Sequence, residues 1–364
     1  MAATQLNTVE KILLISFAAH LNLVGMVHSS AAKDGAGNAS MTTYTSPQQK
    51  YSYSLPGYYV SNNAWGAGKL VQGVDYSTSV TFDPTSFESG THFSWTYPRN
   101  VGGVYAYPHI DYDPKAASVS STQAANIRNL SANYNVTLSN MADSTVAFDF
   151  WFGSQPNGSW ETTSVELLIE VHPTSPGKPN QSFFLTGSGF AGATVYISNM
   201  SGAGANWKFI DVKMPADMMS GTLSLSEIIK ELIWNGVLTG QEYLGSLQFG
   251  SEVRGGTGNL QIDSLSYDWA ANPTSIGTAG NDTFSLANGG GNHVLGNGGV
   301  DTVVYAGPYA NYQMKSADSA TLVINGNRMS SLDELLGITF IKFSDGTYNT
   351  VTGSFVTAPV SGQK

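Results

Sequence analysis

Between Ser164 and Val171 the chain alternates with a period of two. Val165, Leu167, Ile169 and Val171 fall on one side, Glu166, Leu168 and Glu170 on the other. A strand turns successive side chains to opposite faces, so this stretch reads as a strand with one wholly apolar face. The opposite face sets two carboxylates and a leucine in a row. Burying charge there is costly unless water, a partner or a substrate satisfies it. Taken alone, two solvated outer-face glutamates fit the pattern. A second stretch shifts that reading: Tyr243 to Glu252 is an apolar strand that ends in another lone Glu, just before the loop Val253-Arg254-Gly255-Gly256.

The 364 residues give room for two domains and tails. Aromatics at 11%, 40 glycines and only 12% charged residues describe many short strands joined by turns, with a weakly charged surface. A formal charge of -10 with no basic run argues against nucleic acid as a partner. The absence of Cys removes disulfides, thiol catalysis and Cys-zinc sites together. No apolar stretch is long and unbroken enough to predict a membrane span. The nearest, Ile12 to Ala19, is followed by His20 and Asn22, and only Lys11 precedes it, beside Glu10. Residues 1–50 are therefore expected to be a poorly ordered leader and linker, with a degenerate signal peptide ending near Ser29-Ser30-Ala31-Ala32 as the alternative.

From Tyr51 onward, short aromatic and β-branched runs alternate with turns. Strands are expected at Val80 to Phe82, Thr91 to Tyr97, Val104 to Tyr107, Tyr134 to Leu138, Thr145 to Gly153, Ser164 to His172, Ala193 to Ser198, Trp207 to Val212, Leu244 to Phe249 and Leu260 to Trp269. This spacing favours an all-β sandwich over βαβ units. One helix stands out at Ser226 to Ile233, with Ser226 as candidate N-cap, to be packed outside the sandwich. The composition changes near residue 272. Three Gly-rich turns follow, Gly277 to Phe284, Gly289 to Leu295 and Gly296 to Val303, with strands at Thr302 to Tyr305, Ala320 to Ile324 and Thr339 to Phe343 and a helical turn at Asp333 to Leu336. The domains are thus drawn as 1–50, 51–271 and 272–364.

Residues 58 to 269 carry several ordered motifs: Tyr59-Val60-Ser61-Asn62-Asn63-Ala64-Trp65-Gly66, Val104-Tyr105-Ala106-Tyr107-Pro108, Val146-Ala147-Phe148-Asp149-Phe150, Glu166-Leu167-Leu168-Ile169 and Phe249-Gly250-Ser251-Glu252. Together they resemble glycoside hydrolase family 12. The resemblance implies a concanavalin A-like β-jelly-roll sandwich with a deep cleft, and a secreted bacterial endo-β-1,4-glucanase of retaining mechanism. It implies Glu166 as nucleophile, Glu252 as general acid then base, and Asp149 as the residue that orients the nucleophile. The chemistry agrees: retention needs two carboxyl groups flanking the glycosidic bond at ~5–5.5 Å, one ionised and one protonated when substrate arrives. No cofactor is called for in catalysis. Sugar rings present apolar C–H faces, so Trp65, Trp95, Tyr107 and Trp151 are candidate platforms and Asn63 a hydrogen-bonding partner for a β-glucan, with Leu168 and Glu170 in the same cleft.

The family commonly has Met and Trp where this chain has Leu168 and Glu170, and often Pro where it has Val253. These departures leave the substrate open between cellulose-type glucan, xyloglucan and xylan. They also admit a carbohydrate-binding protein without turnover, or an adhesin in which the C-terminal module matters most. That module, residues 277 to 346, resembles the repeat-in-toxin (RTX) calcium-binding segments of proteins exported by type I secretion. The resemblance implies a small β-roll-like domain, a partnership with that secretion machinery, and Ca2+ held by Asp282 and Asp301. His293 stands where Asp is expected, and without calcium the roll is held by packing alone. The whole protein is expected to be monomeric.

Overall fold

The computed structural model describes residues 41–99, 103–117, 121–174, 181–202, 205–271, 274–286, 290–317, 320–326 and 329–359. Most of the expected leader lies outside the described residues. Its last part does not behave as linker: Thr42–Tyr44 pairs antiparallel with Ser77–Phe82, and Lys50–Ser52 pairs with Tyr58–Ser61.

Two antiparallel-dominated sheets face each other. The six-stranded sheet runs, in spatial order, Thr42–Tyr44, Ser77–Phe82, Thr91–Tyr97, Gly256–Ala271, Ile127–Leu138 and Ser220–Ser224. The nine-stranded sheet runs Gln181–Phe184, Thr194–Gly202, Ala205–Lys213, Thr163–His172, Val146–Gly153, Tyr243–Gly250, His109–Tyr112, Tyr58–Ser61 and Lys50–Ser52. Alternation makes the core. Phe148, Phe150 and Phe152 on one strand and Val165, Leu167, Ile169 and Val171 on the next point inward, against Val80, Phe82, Phe93 and Ile262 of the opposing sheet. Each such side chain contributes roughly 1.5–3 kcal/mol on burial. The odd-numbered residues of Val146–Gly153 and the even-numbered ones of Thr163–His172 are left to line the outer, concave face.

Three expected elements are corrected. Val104 to Tyr107 makes only the isolated bridge Ala106 to Val253, because Pro108 and the turn after Asn63 leave no partner strand in register. The helix spans Leu225–Trp234, so Ser226 is a buried residue of its first turn and Ser224 occupies the N-cap without a side-chain bond. Asp333–Leu336 is a strand, not a helical turn, because it pairs on both sides, with His293–Leu295 and with Ala320–Asn325. The strand ending at Phe343 is followed by two more, Gly346–Asn349 and Ser354–Thr357.

Beyond residue 272 the chain winds a flattened coil with two parallel ladders. One stacks Ser275–Ile276, His293–Leu295 and Asp333–Leu336, and the other Thr283–Ser285, Asp301–Val304 and Ile338–Phe343. The register pairs Ser275 with Val294 and Thr283 with Thr302, an offset of 19 residues in both ladders, the same that separates Asp282 from Asp301. The third coil carries an inserted hairpin, Tyr312–Ala317 with Ala320–Asn325, and its turn shrinks to the single Gly337, at φ 66. A small core of Val294, Val303, Tyr305, Leu335, Ile341 and Phe343 fills the coil. The helix joins the two units, since Ile228, Ile229, Leu232 and Ile233 share one apolar cluster with Leu322, Ile324 and Leu332.

Candidate active site

The registers place the concave-face residues in rows that cross the strands. One row reads Phe209, Glu166, Trp151, Ser246; the next Asp211, Leu168, Asp149, Gln248, Asp111; the third Lys213, Glu170, Ala147, Gly250, His109. Glu166 is nearly buried and accepts a 2.8 Å hydrogen bond at Oε2 from the Trp207 indole N–H. Asp149, one row away on the neighbouring strand, accepts a 2.9 Å bond at Oδ2 from Trp151, while its Oδ1 has no hydrogen-bond partner among the described residues. An unsatisfied carboxylate oxygen at this depth costs free energy in the folded state.

Glu252 leaves the end of Tyr243–Gly250 and is fixed by its backbone. Its N–H donates to Thr145 Oγ1 at 3.2 Å, and its carbonyl accepts from Thr145 N–H at 3.0 Å. On either side, Ser251 N–H donates to Pro108 O and Val253 N–H to Ala106 O. The Glu252 charge adds to the rise of the Glu166, Asp149, Glu170 and Asp211 carboxyls, so it faces the same side of the sheet. Arg254 Nη2 holds Glu252 Oε2 at 2.6 Å.

Burial drives the electrostatics. It raises the Glu166 carboxyl well above its usual range; Asp149 and Glu252 push the same way, against the Trp207 hydrogen bond. Burial likewise raises Asp149, with the Trp151 bond opposing and Glu252 and Asp111 adding to the rise. Each of these two neighbouring carboxyls thus favours its neutral form more than a free carboxyl does, and each resists ionisation of the other. Glu170 does not stand as a bare charge in the cleft. Lys213 Nζ binds its Oε1 at 2.6 Å and Asp211 Oδ2 at 3.2 Å. Even so, burial and the Asp211 charge outweigh the lysine and lift Glu170 to about 8. Asp211 is lifted to about 6, again by burial against Lys213.

The remaining expected residues divide. Trp151 lines the cleft beside Glu166. Leu168 is buried on the same floor, between Asp149 and Asp211. Tyr107 is buried with its hydroxyl donating to Ala147 O at 2.9 Å, and its N–H donates to Asn63 O, which ties Asn63 to the same rim. Asn63 adopts φ 40, a left-handed conformation that Asn tolerates better than most residues. Trp65 is half-buried in the 3-10 turn Trp65–Ala67. Trp95 is a correction. It sits on Thr91–Tyr97 of the other sheet, 2% exposed, and points with Phe93 and Tyr97 into the core. Its even spacing with those aromatics explains why it is not a cleft residue.

Sequence reasoning missed Trp207, Asp211, Lys213, Arg254 and Trp160. The alternation Trp207, Phe209, Asp211, Lys213 was visible, but only the parallel pairing of Ala205–Lys213 with Thr163–His172 shows that it faces the glutamates. Trp160 comes from the loop Trp160–Thr162 and closes an aromatic cluster with Trp151 and Trp207, at centroid distances of 5.6 and 5.2 Å.

In the coil, Asp282 Oδ2 accepts from Thr278 N–H and Oγ1–H, and Asp301 Oδ1 accepts from Asp282 N–H at 2.8 Å. The two expected calcium ligands thus stack directly and tie turn to turn. Asp301 Oδ2 is buried and unpartnered among the described residues.

No protein-family model matches the chain. Endoglucanase S of Pectobacterium parmentieri is 24% identical over 228 residues, which takes in 58% of this chain and 81% of that protein. Among solved structures, a native family 12 xyloglucanase from Bacillus licheniformis superposes with a TM-score of 0.54 at 23% identity, covering 63% of this chain and all of that one. Endoglucanase 3 of Trichoderma harzianum, from family GH12, gives 0.51 at 18% identity over 65% of this chain and all of its own. The sandwich of this chain therefore has the fold of the family 12 glycoside hydrolases, with a β-coil added behind it.

Proposed function

We propose that this chain is an endo-acting glycoside hydrolase that cuts internal β-1,4 bonds of a glucan with retention of configuration. The observation that carries the reading is the gathering of Glu166, Asp149 and Glu252 on one concave face, beside a cluster of three tryptophans. In the first step Glu166 attacks the anomeric carbon while Glu252 gives its proton to the leaving oxygen. In the second, Glu252 takes a proton from water, whose oxygen displaces Glu166 from the sugar. Asp149 holds the proton that the pair retains, which leaves Glu166 ionised for attack. Trp207 orients the Glu166 carboxylate, and Glu252 releases Arg254 and takes up a proton from solvent before it gives that proton to the leaving oxygen.

The relatives' descriptions as endoglucanase and xyloglucanase support a β-glucan substrate and leave both glucan types in play. The pairing of Glu170 with Lys213 removes the bare charge that would have favoured a binding protein without turnover. Reducing-end release from a panel of soluble β-glucans, xyloglucan and xylan, by wild type and Glu166→Ala, tests the reading. Wild-type inertness on the whole panel would refute it.

Secretion belongs to the same proposal, and among the described residues no helix is long and apolar enough to cross a membrane. Calcium in the coil is proposed on the buried, unpartnered Asp301 Oδ2, with Asp282 in the stacked turn. Calcium takes 6–8 oxygens, so backbone carbonyls of the turns would have to supply most of them.

A further inference from the structure

A buried donor and a buried acceptor lie unused beside Glu252. Arg254 Nη1 and Asp211 Oδ1 are each without a hydrogen-bond partner among the described residues. Leaving such atoms unpaired costs free energy. Asp211 belongs to the strand Ala205–Lys213, and Arg254 to the turn between Tyr243–Gly250 and Gly256–Ala271. They face each other closely enough for the guanidinium charge to act on the Asp211 carboxyl, as the Glu252 charge also does. Arg254 is thus shared between two carboxyls and holds one of them, Glu252 Oε2 at 2.6 Å.

The backbone of the turn is pinned. Arg254 N–H donates to Asp143 O at 2.8 Å, and Asn140 Nδ2 to Gly255 O at 2.9 Å. The Arg254 side chain beyond it is 31% exposed and has several rotatable bonds. Other carboxyls of the face are engaged elsewhere, Glu170 by Lys213 and by Thr174 N–H, Glu166 by Trp207. Asp149 keeps an unpartnered oxygen among the described residues, but the charges that act on it are those of Glu252 and Asp111. Asp211 commits only Oδ2, to Lys213.

An ion pair with Arg254 needs Glu252 as the carboxylate, whereas donation to the leaving oxygen needs it as the acid. The guanidinium stays charged throughout, so on leaving Glu252 it requires another anion. We infer that Arg254 is a two-position latch on the acid/base, with one seat on Glu252 and a second on Asp211. In the second seat Nη1 meets Asp211 Oδ1, while Glu252 takes its proton from solvent and later gives it to the leaving oxygen. The cation is matched by a carboxylate in both seats. Arg254 acts through Glu252 and is a positioning residue. The inference rests on the hydrolase reading of the cleft and names how its acid/base is regulated.

The test is the pH profile of kcat/KM on the accepted glucan, for wild type, Arg254→Met, Asp211→Asn and the double variant, with thermal melts to check folding. The groups facing Glu252 are Arg254 on its own turn, Glu166 and Glu170 on Thr163–His172, Asp149 on Val146–Gly153, Asp211, and Tyr107 at the rim. Lys213 stands behind Asp211 and Glu170. Arg254→Met should raise kcat/KM about tenfold on the alkaline side of the profile. Asp211→Asn removes the second seat, keeps Arg254 on Glu252, and should lower it about tenfold there. The double variant should behave as Arg254→Met alone, because no guanidinium is left for Asp211 to receive. Arg254→Gln, which also lacks the charge, carries the same expectation should Arg254→Met not fold. An equal loss from Asp211→Asn with and without Arg254 would show that Asp211 acts as a bare charge, and would overturn the latch. So would a profile that Arg254→Met and Arg254→Gln leave unmoved. Failure of the catalytic reading appears separately, as wild-type inertness on every glucan, and takes the latch with it.

Discussion

Two buried aspartates, Asp333 in the coil and Asp149 in the cleft, are treated in opposite ways. In the coil, Asp333 accepts from Asn292 N–H at 2.7 Å, Asn292 Nδ2 at 2.8 Å and the Tyr305 hydroxyl at 2.7 Å. In the cleft, Asp149 receives one bond from Trp151 and its second oxygen has no partner among the described residues, and Glu166 is held by Trp207 amid other carboxyls. A satisfied buried carboxylate organises backbone around itself. An unsatisfied one stores a cost that a substrate or a moving proton relieves. The first arrangement is architecture, the second chemistry.

Exchanging the two kinds of residue should separate those roles. Glu166→Gln should lower kcat on the accepted glucan by ~10³-fold or more, about 4 kcal/mol of transition-state stabilisation, with its unfolding midpoint unchanged. Steady-state rates beside a thermal melt measure both. Asp333→Ala should do the reverse. It leaves the buried Tyr305 hydroxyl and the half-buried Asn292 donors without an acceptor, and should destabilise the coil by ~3 kcal/mol, read by denaturant unfolding, while initial rates hold. Asp149→Asn should cost ~10²-fold in rate at little cost in stability. Equal stability losses for Asp149→Asn and Asp333→Ala would erase the contrast.

Stability against pH sharpens it further. Burial raises Glu334, at the junction with the sandwich, to about 8, and Asp333 to about 6. For raised carboxyls the contribution is fully present below the unfolded values of 4.5 and 3.8, and is lost as pH rises through about 8 and about 6. His293, whose Nε2 lies 3.5 Å from Glu334, is lowered by burial to about 4. Its contribution is present above 6.5 and lost as pH falls through about 4. The coil's melting temperature should therefore fall as pH rises from about 4.5 to about 8, and Glu334→Gln should flatten that slope; an unaltered slope would show that Glu334 does not titrate there. The smallest expected effect is calcium. With the turns already tied by Asp282 and Asp301, saturating Ca2+ should raise the melting temperature of the coil by only a few degrees over chelator.

How much of this was legible beforehand follows from the range of each interaction. The strand Ser164 to His172, its inward and outward faces, and the lone Glu at the end of the Tyr243 strand are local patterns, and a period of two declares them. The 19-residue spacing of Asp282 and Asp301 is also local, and it matched the register of the coil. Trp95 was misplaced because alternation says which residues share a face, but not which face meets the core. Asp333 to Leu336 was misread because four apolar and acidic residues carry no period of their own, and the neighbouring strands supplied it. Lys213 opposite Glu170, Trp207 on Glu166 and Arg254 on Glu252 lay outside the reading. The first two are contacts across about forty residues that exist only once two strands pair in parallel.

The sequence by itself determined the all-β class, the apolar face of the Glu166 strand and the identity of the acidic groups, because strand periodicity is written in nearest neighbours. Only the tertiary structure decided which carboxyls are neutralised, which stand unpaired, and that the helix at Leu225–Trp234 is shared by sandwich and coil. Burial and pairing are properties of the assembled sheets, and no single stretch of chain contains them.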